Sequence, residues 1–93
     1  MRGIICESIG SLRYTADLPE PEAGPGEAVV AVRRVGVCGT DYHAFRGNQP
    51  FFEYPRIFGH ELSGVVERIN GSGGEVKEGD AVSVIPYIHC GRC

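Results

Sequence analysis

The chain has 93 residues, which suffice for one small domain that buries about two-thirds of its unfolded surface. An apolar share of 42% and a charged share of 23% are ordinary for a globular protein, and a net charge of −3 offers no basic surface, so we expect no nucleic-acid partner. The longest apolar runs, such as residues 28–32, fall far short of the roughly 20 residues that a membrane span needs, so we expect no membrane partner.

The first part of the chain predicts short strands separated by turns. Residues 1–7 are rich in apolar side chains, residues 8–11 favour a turn and residues 12–15 alternate, which together predict a β-hairpin. Three prolines make residues 17–26 an extended connector, because proline suits neither a helix interior nor a central strand. The valine-rich run 27–37 predicts a longer strand that ends at the next residue, a cysteine.

A short helix and an ordered loop follow this strand. Thr40 or Asp41 can cap a helix over residues 42–46, because their side chains accept hydrogen bonds from the free amides of a first turn. Gly47 would end this helix. Residues 48–56 hold two prolines and three aromatic side chains, which predict either a loop over a cavity or an aromatic satellite core.

Two more strands complete the prediction. Residues 57–70 predict a long strand that is interrupted at Gly59 and Gly64, where a bulge or a close backbone approach is expected. Residues 81–87 predict a third strong strand. Glycines and prolines placed between short strands therefore indicate a mainly β fold, a compact barrel or sandwich with one short helix.

The segment 36–64 collects the side chains that zinc binds. Cys38 offers sulfur, His60 a neutral nitrogen and Glu61 a hard oxygen. Cys38 and His60 are 22 positions apart, too far for one zinc-finger loop, so only a fold that joins a turn to a strand start can bring them together. Taken singly, each residue could be structural. Small residues beside both donors leave room for a metal and a substrate, and favour a catalytic site.

The remaining cysteines suggest a second metal site and a core thiol. Cys90 and Cys93 have the spacing of a zinc knuckle or a redox pair, and no βαβ pattern supports a thioredoxin-like reading. Cys6 lies in the first strand and is expected to be an inert core thiol. Four cysteines near His and Glu indicate metal binding in a reducing compartment rather than disulfides. The N-terminus lacks the apolar core of a signal peptide, so we expect a cytoplasmic protein.

The motifs GVCGTD at residues 36–41, GHE at 59–61 and CGRC at 90–93 carry a specific resemblance. In this order, the chain resembles the N-terminal part of the zinc-containing medium-chain alcohol and polyol dehydrogenases, whose catalytic domain resembles the GroES co-chaperonin. The resemblance implies that residues 1–93 are a partial GroES-like β-barrel. No GxGxxG occurs, so the Rossmann domain is expected to be absent. The loop GNQPFFEYPR resembles the branch that acts on sugar acids such as galactonate, gulonate or idonate.

The resemblance also implies a set of zinc ligands. Cys38 and His60 match the first two ligands of the catalytic zinc. Glu61 matches an acid that is either a direct ligand or lies just behind the metal. Cys90 and Cys93 match the first half of a four-cysteine structural zinc lobe.

Three further roles follow from the same resemblance. Thr40 matches a hydroxyl that contacts the substrate alcohol, since a hydroxyl can donate and accept. Asp41 matches the carboxylate that orients the histidine ligand, with a helix N-cap as the alternative. His43 matches an imidazole that ends a proton relay, with a surface helix histidine as the alternative. Gly39 replaces an arginine that faces the cofactor's pyrophosphate in liver-type enzymes, so that contact should be absent.

These roles imply an oxidoreductase that oxidises a secondary alcohol of a polyol or sugar acid to a ketone, with zinc and NAD or NADP. We expect the isolated chain to be inactive and the parent enzyme to be a homo-oligomer. One alternative is a non-catalytic GroES-like binding or chaperone module, which the metal donors disfavour. A zinc-free quinone reductase is disfavoured because such enzymes lack a cysteine at position 38. A small redox or metal-storage protein ranks third.

Overall fold

The computed structural model describes residues 1–71 and 74–92. Within these residues the elements are, in chain order, β1 (Gly3–Ser8), β2 (Ser11–Thr15), β3 (Glu27–Gly36), α1 (Gly39–Phe45), β4 (Arg56–Ile57), β5 (Glu61–Asn70) and β6 (Ala81–Ser83). The strands form two antiparallel three-stranded sheets, ordered β2-β1-β4 and β3-β5-β6. The predicted fold class, mainly β with one short helix, is confirmed.

The first sheet contains the predicted hairpin. Strands β1 and β2 pair from Gly3 opposite Thr15 onward, and Gly10 takes the left-handed conformation, with a φ of 74°, that the tight turn requires. The backbone N–H of Gly10 donates to the carbonyl of Phe45 at 2.8 Å, which ties the hairpin to the end of α1. Cys6 is fully buried on β1, as expected for a core thiol.

The second sheet is built on the long β3–β5 pair. It runs from Glu27 opposite Asn70 to Gly36 opposite Glu61, with two irregularities in register. One irregularity lies opposite Gly64, where a Cβ would stand 2.4 Å from the carbonyl oxygen of Ala31. The expected close approach and bulge at this glycine are therefore present, although β5 itself continues through it.

Gly59 divides the predicted strand 57–70. Its φ of 102° turns the backbone between β4 and β5, which belong to different sheets, so the interruption predicted there is confirmed. Residues 17–26 contain no regular element and form the predicted connector. The connector is held to β5, because Asn70 donates to the carbonyl of Ala23 at 2.8 Å and accepts from the N–H of Gly26 at 2.7 Å.

Two predicted boundaries are wrong. The helix begins at Gly39 with Cys38 as its N-cap, rather than with Thr40 or Asp41 as the cap. The reason is that the Asp41 carboxylate reaches back to accept a hydrogen bond from the backbone N–H of Cys38 at 3.2 Å, as in a capping box, and thereby starts the helix earlier. Gly47, with a φ of 78°, follows the helix end as predicted.

The last strand is shorter than predicted, covering Ala81–Ser83 instead of residues 81–87. Val84 still donates to the carbonyl of Leu62 at 3.2 Å, but Pro86 has no N–H to continue the ladder. Tyr87 and the residues around it are exposed. Along the described chain, no helix is long and apolar enough to cross a membrane.

The fully buried apolar core is small. The buried apolar residues in the described part of the chain are Cys6, Val29, Ala44 and Val66. Between the two sheets lies an open apolar groove of about 450 Å³, whose lining includes Val35, Tyr42 and Phe58.

Candidate metal centre

Strand pairing brings Cys38 and His60 together. Cys38 follows the end of β3 and His60 precedes the start of β5, and these strands pair antiparallel with Gly36 opposite Glu61. The Cys38 Sγ atom consequently lies 3.2 Å from His60 Nε2. A strand end and a strand start thus meet, which is the arrangement that the 22-residue separation required.

Asp41 completes a group of three possible ligand residues. Its Oδ1 lies 3.3 Å from His60 Nδ1, and its side chain is only 12% exposed. One ligand atom from each of Cys38, Asp41 and His60 lies within 4.8 Å of the others. With the carboxylate facing Nδ1, the ring proton belongs on Nδ1, which leaves the lone pair of Nε2 directed toward Cys38. A sulfur and a neutral imidazole nitrogen side by side fit zinc.

Glu61 and Thr40 border the cavities around this group. A cavity of about 480 Å³ is lined by both residues together with Cys38, His60 and Ser83. The Glu61 carboxylate is not part of the three-residue group, and its Oε2 lies 3.2 Å from the point where a Cβ on Gly36 would stand. Its role as ligand or outer partner stays a prediction.

Thr40 also borders a second cavity of about 410 Å³, so Thr40 and His60 line both cavities. His43 is exposed on the same helix and lines neither cavity. A lone histidine on a short exposed helix has no contact here that assigns it to catalysis. The proton relay predicted for His43 therefore stays a prediction.

The second predicted zinc site lies at the end of the chain. Cys90 is exposed, and its Sγ accepts a hydrogen bond from the backbone N–H of Arg92 at 3.4 Å. Cys93 lies outside the described residues. The knuckle formed by these two cysteines therefore stays a prediction.

The first residue of β4, Arg56, is one that the sequence reasoning missed. Arg56 lines the 410 Å³ cavity together with Thr40 and His60. The Phe52 ring makes edge contacts with Tyr54 and Phe58, at centroid distances of 5.1 and 5.6 Å. The loop of residues 48–56 borders a cavity, as the first alternative predicts, while of its three aromatic residues Phe52 and Tyr54 cluster and Phe51 is fully exposed. The available signal was a single basic residue close in sequence to the GHE motif.

Residues 24–93 match the family described as the alcohol dehydrogenase GroES-like domain. The chain belongs to this family. The resemblance inferred from GVCGTD and GHE is therefore confirmed.

Three known proteins illustrate the alcohol dehydrogenase relationship. The chain is 42% identical to L-galactonate-5-dehydrogenase of Escherichia coli K12, over all of this chain and 27% of that protein. It is 42% identical to an uncharacterised zinc-type alcohol dehydrogenase-like protein of Haemophilus influenzae, over 83% of this chain and 23% of that protein. Among solved structures, RspB of Escherichia coli CFT073, an alcohol dehydrogenase in complex with NADH, aligns with a TM-score of 0.78 and 38% identity over all of this chain and 26% of RspB.

The chain thus spans about a quarter of the length of the alcohol dehydrogenases it matches. Among these relatives, one is named for zinc and another holds NADH, in agreement with the predicted cofactors.

Proposed function

We propose that residues 1–93 form the N-terminal part of the catalytic domain of a zinc-dependent dehydrogenase, which oxidises a secondary alcohol to a ketone. In this proposal the dinucleotide-binding Rossmann domain lies outside the 93 residues. The observation that carries the proposal is the group of Cys38, Asp41 and His60, whose ligand atoms lie within 4.8 Å of one another. Membership of the alcohol dehydrogenase GroES-like family supports it.

Each member of the metal centre has a task. Cys38 and His60 would hold zinc, with Glu61 as a further ligand or an outer partner, and Asp41 would keep the His60 ring in the tautomer that leaves Nε2 free. When bound, zinc supplies Lewis acidity that lowers the pKa of an alcohol, and a nicotinamide dinucleotide supplies the hydride acceptor.

Proton transfer would fall to α1. Thr40 borders both cavities, and its hydroxyl can accept a proton from an alcohol while donating its own. His43 follows three positions later, so both side chains share one face of the helix. Because His43 is exposed, it can pass the proton to solvent.

We further propose that the substrate is a polyol or a sugar acid, handled by a homo-oligomeric enzyme in the cytoplasm. The 42% identity to an L-galactonate dehydrogenase over the whole chain supports a sugar acid. The expected structural zinc half-site at Cys90 and Cys93 is part of the same proposal.

Cobalt binding tests the metal centre, because a thiolate bound to Co²⁺ gives a charge-transfer absorption that zinc lacks. The Cys90→Ser, Cys93→Ser double variant isolates Cys38 from the second candidate site. In that background we expect Co²⁺ to give the thiolate band and the further substitution Cys38→Ser to remove it. Cys6→Ser is the matched control and should keep the band, since Cys6 is buried on another strand. An unchanged band in the Cys38→Ser variant would refute the proposal.

The isolated 93-residue chain should show no turnover, because no GxGxxG turn is present in it to hold a dinucleotide. The measurement is NADH formation from galactitol or L-galactonate in the presence of zinc and NAD. Oxidation above the zinc-only blank by a chain of verified mass would contradict this expectation.

A further inference from the structure

Arg56 places a positive charge in the cavity beside the metal centre. It forms strand β4 with Ile57, and Cys6 of β1 is its partner in the first sheet. The cavity that it lines, of about 410 Å³, is also bordered by Thr40 and His60. The positive charge of Arg56 therefore borders the same cavity as Thr40 and His60.

The guanidinium of Arg56 is held by an aromatic ring and has no acid partner among the described residues. It lies 5.0 Å from the centroid of the Phe52 ring, which is itself fixed by Tyr54 and Phe58. In the residues that the structure describes, the ion pairs do not include Arg56, and neither do the side-chain hydrogen bonds. Its N–H donors are consequently available to a ligand.

The rest of the lining does not neutralise this charge. Asp41 is the one carboxylate among the residues that border the cavity, and it faces His60 Nδ1 at 3.3 Å. Besides Arg56, Asp41 and His60, the polar residues that line the cavity are Thr40, Gln49 and Tyr87, which carry no charge at neutral pH. The cavity is thus suited to a molecule that is anionic at one end and carries hydroxyl groups at the other.

We propose that Arg56 binds the anionic group of the substrate, a carboxylate or a phosphate, while the hydroxyl groups of the same molecule face Thr40 and His60. This inference rests on the proposed function and narrows its substrate to anionic polyols. The planar guanidinium can donate two parallel hydrogen bonds to either anion. A neutral polyol has no negative charge, so its hydrogen bonds to the guanidinium lack the attraction between opposite charges.

Arg46 offers a matched control. Its guanidinium also lies over an aromatic ring, 5.4 Å from the centroid of Tyr42, but Arg46 does not line the cavity. Removing either arginine changes the net charge of the chain by the same amount. Only removal of Arg56 should change the selectivity of the cavity.

The experiment is a ligand titration of the metal-free, ¹⁵N-labelled 93-residue chain, followed by NMR chemical shifts. Three ligands are compared: galactitol, L-galactonate and galactitol 1-phosphate. We expect one or both anions to bind about tenfold more tightly than galactitol, a ratio that corresponds to one charge-assisted hydrogen bond. Binding should change the chemical shifts of Phe52 and Thr40. Arg56→Gln should abolish this preference, Arg56→Lys should keep part of it, and Arg46→Gln should leave it intact.

The two anions distinguish a carboxylate site from a phosphate site. Equal affinity for all three ligands, no binding of any of them, or a preference that survives Arg56→Gln in a folded variant would overturn the proposal. Spectral dispersion of each variant reports whether it is folded. Because no metal is present, this result is independent of the cobalt titration that tests the metal centre.

Discussion

Asp41 Oδ1 lies 3.3 Å from Nδ1 of His60, while Oδ2 of the same carboxylate accepts a hydrogen bond from the backbone N–H of Cys38 at 3.2 Å. The Asp41 side chain therefore fixes both the orientation of His60 and the start of α1, the helix to which Asp41 belongs. The two interactions use different oxygens, so substitutions can separate them.

Asp41→Asn should weaken Co²⁺ binding by about 10–100-fold, because an amide orients and polarises the His60 ring less well than a carboxylate. The amide oxygen can still accept from the N–H of Cys38, so the free energy of unfolding should change little. Asp41→Ala should weaken Co²⁺ binding to a similar extent. It should also lower the free energy of unfolding by about 1 kcal/mol, because the hydrogen bond that caps the helix is lost. Cobalt titration and denaturant unfolding measure the two effects.

Asp17→Asn, in the exposed connector, is the control for the loss of one negative charge. It should change neither quantity. Tight Co²⁺ binding by Asp41→Ala would show that the carboxylate does not position His60.

Gly64→Ala should destabilise the second sheet. A Cβ at this position would meet the carbonyl oxygen of Ala31 at 2.4 Å and Cγ1 of Val30 at 2.7 Å, so β3 and β5 would have to separate. Overpacking of this kind costs about 1–3 kcal/mol, which denaturant unfolding can measure. Gly39→Ala is the control, because a Cβ there meets nothing within 4 Å. Equal stability of the two variants would contradict the close approach.

The free energy of unfolding should depend on pH through Cys6. Burial raises the pKa of the Cys6 thiol above its ordinary value of 9.0. The unfolded chain therefore releases this proton at a lower pH than the folded chain does. The contribution of the neutral thiol is complete below pH 9.0 and is lost as the pH rises toward the folded-state pKa.

Denaturant unfolding of the wild type and of Cys6→Ala at several alkaline pH values measures this contribution as a difference in slope. Cys38→Ala is the control, because it removes a partly exposed thiol and leaves Cys6 in place. Its free energy of unfolding should fall with rising pH with the same slope as that of the wild type. An identical alkaline loss of stability in the wild type and in Cys6→Ala would contradict the effect.

Local signals explain what the sequence could predict. Glycine positions, valine-rich runs and the proline connector each act within a few residues, and they correctly indicate the hairpin and the two long strands β3 and β5, whose pairing they do not predict. The helix start was misplaced because the side chain of Asp41 hydrogen-bonds backward to Cys38, a choice between neighbouring caps that propensity does not resolve. The last strand was overextended because its apolar pattern continues beyond Pro86, where the ladder has no donor.

The metal donors could be recognised because their residue types and flanking glycines are distinctive. Arg56 was missed for the opposite reason: a single arginine beside a proline carries no pattern of its own. Its significance depends on the cavity that it shares with Thr40, which is a long-range feature of the folded chain, and on the ring of Phe52, whose placement against the guanidinium the loop sequence does not predict.

Gly59 separates Arg56, at the edge of the first sheet, from His60, at the entrance to the second. The backbone turn at Gly59 therefore lies on the chain path between the proposed anion contact and the metal centre. A substrate held at both points would act as a brace between the two sheets. The site would then select ligands by their length, since a molecule too short to contact both sheets could not link them.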